Sequence, residues 1–63
     1  MSVFFNDYGR AHAHAQNRAN MSRISYGIEK VDSALETGFV VRPLPKPENR
    51  SGWELRCEVV DPI

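Results

Sequence analysis

The sequence predicts an α+β domain: two N-terminal helices followed by a C-terminal antiparallel β-hairpin, with Ser2–Phe5 available as a third short strand. Three observations carry this. Alanines recur at helical spacing after residue 8. Ile24, Ile28, Val31 and Leu35 follow the i, i+4, i+7, i+11 rhythm of a core-facing helix stripe. The run "WELRCEVV" alternates apolar and polar side chains with the period of a strand.

Residues 1–21 form the first helical segment of this reading. "SVFF" is a short strand or an apolar lead-in, and Asn6 or Asp7 caps the helix by accepting from free backbone N–H groups. At ~100° per residue, Phe4, Tyr8, Ala11, Ala15, Ala19 and Ser22 fall on one narrow face, aromatic at its start and small afterwards. A face of small side chains suits close approach to another backbone, either a partner's or that of the same fold.

Residues 22–37 read as the second helix, with Gly38 where a left-handed C-terminal cap is wanted. Gly27 inside it costs about 1 kcal/mol against alanine, so the helix needs tertiary support. The alanine face and the isoleucine face lie roughly 190° apart on a continuous helix. A break near Asn20–Arg23, with Ser22 capping the second helix, is therefore expected.

Residues 38–60 read as the hairpin. Trp53, Leu55, Cys57 and Val59 take one face, and Glu54, Arg56 and Glu58 the other. Phe39–Leu44 is the expected pairing strand, which sets Arg42 beside the acidic row. Pro43 has no N–H for the ladder, so this strand is an edge or ends there, and Arg42 and Leu44 become candidates for edge pairing with a partner. The alternating prolines of "RPLPKP" miss the i, i+3 spacing of a polyproline ligand and stiffen the loop instead. Residues 61–63 read as a tail.

Composition narrows the function classes. Sixty-three residues make at most one small domain with a thin core, and a single cysteine forms no internal disulfide. Oligomerisation or docking on a larger protein is the usual remedy. Eight basic and eight acidic side chains cancel, so no overall field draws nucleic acid or an anionic membrane. No apolar run reaches membrane-spanning length, the first residues carry no signal-peptide pattern, and the expected compartment is the cytosol.

The pair His12-x-His14 invites a metal reading, but on a helix the two rings diverge by ~200° and metal-binding helices use i, i+4 spacing. No metal and no cofactor is expected. Catalysis lacks a constellation: no phosphate loop or nucleophile elbow is present, and Cys57 falls on a buried face where thiols are inert. The chain is read as a non-enzyme.

What remains is binding. Tyr8, Arg10, His14, Ala15 and Arg18 are the candidate partner-binding residues of the first helix, with Arg42 and Leu44 on the hairpin edge. The expectation is a small inhibitor, modulator or adaptor of a larger macromolecular machine. On size alone, the expected setting is a phage or other mobile element, and homo-oligomers are compatible with it. The alternatives are a structural subunit of a larger complex, or a nucleic-acid-associated protein using the i, i+4, i+8 row Arg10, His14 and Arg18. Arginine and asparagine can read base edges, but no second basic cluster or known motif supports the row.

Overall fold

The computed structural model describes residues 2–49 and 57–63. The architecture among them is α+β, with one helix laid across an antiparallel sheet. In chain order the elements are β1 (Val3–Phe5), α1 (Tyr8–Ser22), β2 (Tyr26–Asp32), β3 (Thr37–Pro43), a single 3-10 turn at Pro47–Asn49, and β4 (Glu58–Val60). Among the described residues four strands stand in the order β1-β3-β2-β4, which places β2 and β3 between the short β1 and β4.

The first helix forms for the reasons legible in its sequence. Asp7 is the N-cap, in extended conformation, and its carboxylate accepts the Arg10 N–H at 2.9 Å. Ala11, Ala15 and Ala19 are each 0% exposed. Ala11 and Ala15 pack with Ile28, Val41 and Val60 of the sheet, with Phe5, Tyr26 and Phe39 packed around that cluster. Small side chains let the helix sit close to the sheet, so the alanine face closes this fold. The expected break is real: Arg23 takes a left-handed conformation at φ 61°, and its N–H bonds to the Ala19 carbonyl at 2.8 Å.

Beyond that break the order of elements differs from the one predicted. Residues 22–37 do not form a second helix: Tyr26–Asp32 is a strand, and it turns back into Thr37–Pro43 as a hairpin. Of the four-residue stripe only Ile28 is deeply buried, at 4% exposed; Ile24 is 43% and Leu35 98% exposed. Strand geometry sends Ile28 to the helix side of the sheet and Val31 to the opposite side. Gly38 is no helix cap but a buried position within β3.

The pairing of the C-terminal third is corrected too. The strand around Phe39–Leu44 pairs with β1 and β2, while β4 pairs with β2 through Tyr26↔Val60, Gly27↔Val59 and Ile28↔Glu58. Arg42 meets Glu29 of β2 at 3.0 Å, across the strand pair. Trp53, Leu55, Glu54 and Arg56 lie outside the described residues. Cys57 is buried as expected, but Val59, expected on the same face, is 41% exposed and Val60 is buried in its place. The expected third strand, Ser2–Phe5, is present as β1, paired with β3 in the register Val3↔Val41, Phe4↔Val40, Phe5↔Phe39. Residues 61–63 are docked rather than a free tail: Gln16 donates to the Asp61 carbonyl, and the Ile63 N–H bonds to Asn20.

Candidate interaction surface

The row Arg10, His14 and Arg18 runs along the flank of α1 that overlooks the edge strand β1. His14 is half-buried, its ring centroid 5.2 Å from that of Phe5 on β1. Arg10 and Arg18 are exposed on either side of it, one helical turn away in each direction. Among the described residues neither arginine forms an ion pair. Two hollows open along this flank. One, of about 580 Å³, is bounded by Phe4, Phe5, Asn6, Asp7 and Arg10. The other, of about 200 Å³, has an apolar floor of Val3, Val41 and Pro43 under the His14 and Arg18 side chains, with Tyr26 behind.

The opposite flank of the helix is occupied by the chain itself. Tyr8 donates from its hydroxyl to the Glu58 carboxylate, at 2.6 and 2.7 Å to the two oxygens. Its ring meets Phe39 edge-on at 5.4 Å. The hydrogen bond to Glu58 raises the Tyr8 pKa above its ordinary value, with burial and the carboxylate charge acting in the same direction. His12 lies on this side, 6.0 Å from the Tyr8 ring. The two histidines thus point to different flanks, as helical geometry requires, and no group of three metal-ligating side chains comes together among the described residues.

The sequence-derived candidates therefore separate. Arg10, His14 and Arg18 are brought together on one accessible surface. Tyr8 is accessible in part but is held on the far flank by Glu58. Ala15 is fully buried against the sheet of its own chain, so it reaches no partner. Arg42 and Leu44 mark no open edge, because β3 is a central strand. Arg42 is committed to Glu29, and Leu44, 4% exposed, covers Gly27, where an added Cβ would come within 3.0 Å of it. Pro43 is tolerated for a geometric reason. It opposes Tyr26 at a non-bonded position of the β2–β3 ladder, so that ladder asks for no N–H from it. Sequence reasoning missed Phe5, Val3 and Val41 as the floor of the surface, since only the β1–β3 pairing brings them under the helix.

Among the described residues, no helix is long and apolar enough to cross a membrane. No protein-family model, curated protein or solved structure matches the chain.

Proposed function

We propose that the chain is a small non-enzymatic protein-binding protein, an inhibitor, modulator or adaptor of a larger macromolecular machine, docking through the flank where α1 overlooks β1. The observation that supports it is the Arg10–His14–Arg18 row, its two arginines without ion pairs among the described residues, standing over an apolar floor. Arginine and aromatic side chains around an apolar centre are the usual make-up of a protein interface. The partner that fits is a segment of a larger protein bearing an apolar side chain for the Val3/Val41/Pro43 floor and carboxylates for the two arginines. A chain with a single cysteine suits a reducing compartment such as the cytosol, and a phage or mobile element remains the setting suggested by size.

The test uses the purified chain as bait in extract from its native host, with and without nuclease, beside an Arg10→Ala/Arg18→Ala variant. A protein retained after nuclease by the wild type and lost by the variant supports the reading. The same arginines favour a second reading, contact with nucleic acid. Recovery of nuclease-sensitive material alone would replace the first reading with the second, and binding would then fall steeply with salt.

A further inference from the structure

The turn between β2 and β3 carries an apolar side chain that the fold does not use. Leu35, at the tip of this hairpin, is 98% exposed. Asp32 and Glu36 stand on either side of it in the chain, both exposed, and the segment from Asp32 to Thr37 contains no base. Among the described residues neither carboxylate forms an ion pair. The tip is ordered by its own bonds. Ser33 donates its N–H to the Glu36 carbonyl at 3.0 Å, its hydroxyl accepts the Glu36 N–H at 3.0 Å, and Thr37 donates to the Asp32 carboxylate at 3.2 Å. A turn already held in shape presents Leu35 at a reduced ordering cost on binding.

A single exposed leucine is ordinary on a protein surface. What sets this one apart is that the same chain carries its complement. The hollow of about 200 Å³ under α1 has Val3, Val41 and Pro43 as its floor and Arg18 at its rim, with Arg10 about two turns back along the helix. We infer that the hairpin tip of one copy of the chain docks on the α1 flank of a second copy, with Leu35 in this hollow and Asp32 and Glu36 against the two arginines. The contact cannot form within one chain. Tyr26 and Pro43, at the hollow, face each other at one end of the β2–β3 ladder, and Asp32 and Thr37 do so at the other. Six strand residues, roughly 20 Å, separate the two ends. Each copy thus has a knob at one end and a hollow at the other, an arrangement that links copies head to tail. Burial of the leucine supplies the attraction, and the charges select which end meets which. The contact takes the flank proposed for a protein partner, but it needs no partner and rests on the chemistry of the tip.

Sedimentation equilibrium of the purified chain, at low salt and up to millimolar concentration, tests this. The wild type is expected to self-associate reversibly, and Leu35→Ser to weaken the association on the order of tenfold or more. Arg10→Glu/Arg18→Glu sets acid against acid at the same contact and should also weaken it. The two variants damage opposite halves: the first keeps an intact hollow, the second an intact tip. Their equimolar mixture should form a mixed dimer and nothing larger, at concentrations where each alone is monomeric. Circular dichroism checks that these exposed substitutions leave the fold intact. A wild type that stays monomeric, a Leu35→Ser variant that associates as tightly as the wild type, or a mixture with no mixed dimer would each overturn the proposal. Capture of a host protein by the same flank is read separately, in the pull-down.

Discussion

Individual positions in this fold are constrained by what stands beside them. Tyr8 holds its proton more tightly in the folded chain because the Glu58 carboxylate accepts from it. A raised pKa contributes stability that is present below the ordinary tyrosine value of 10.0 and is lost as pH rises through the folded value. Tyr8→Phe should remove the late component of the tyrosinate absorbance titration and flatten the decline of stability above pH 10.0. Gly38 is constrained by contact: a Cβ there would stand 2.3 Å from the Phe4 ring and 2.6 Å from the Phe5 carbonyl oxygen. The ring can move, but the carbonyl belongs to the β1 backbone. Gly38→Ala should therefore destabilise the fold by about 3 kcal/mol in urea denaturation.

Among the elements, the first helix was legible in the sequence because its signals are local. Asp7 precedes it, alanines repeat within it, and the opposed apolar faces on either side of Asn20–Arg23 require a break. The β2–β3 hairpin was not legible, for physical reasons found in its own residues. Its loop, Ser33-Ala34-Leu35-Glu36, carries no glycine or asparagine and uses no positive φ, so the usual hairpin signal is absent. The Ser33 side chain closes the turn instead, accepting the Glu36 N–H at 3.0 Å and donating to the Glu36 carbonyl at 2.8 Å. In β2, Gly27 and Ile28 are both buried although they lie on opposite faces, which breaks the alternation that marks a strand. Leu35 then completed a helical stripe by coincidence. Leu35→Ser separates the two structures: in the hairpin it should change stability by no more than about 0.5 kcal/mol, whereas at a helix core position it would cost several.

For the whole molecule, the core is thin because the helix contributes alanines and the sheet supplies most of the larger side chains. Among the described residues Val41 is the largest fully buried side chain, 1% exposed in the sheet beneath the helix. The distance between the layers is set by alanine, so Ala15→Leu should lower the thermal midpoint, with a stability loss of about 1–3 kcal/mol. The candidate surface was half legible. The Arg10–His14–Arg18 row follows from helix periodicity alone. Its apolar floor required knowing that β1 pairs with β3 and that the helix crosses above them, which are long-range pairings no local pattern encodes. The same topology turned Ala15, Arg42 and Leu44 from candidates for binding into parts of the fold.

The central claim, that the α1 flank over β1 docks a protein, is tested most directly by photo-crosslinking in the native host. A photoreactive amino acid replaces His14 in one variant and the exposed Ala13, on the helix face turned from the sheet, in another. The account predicts a discrete protein adduct from position 14 that withstands nuclease and is absent or much weaker from position 13. An adduct that disappears with nuclease, or equal labelling from both positions, would contradict it.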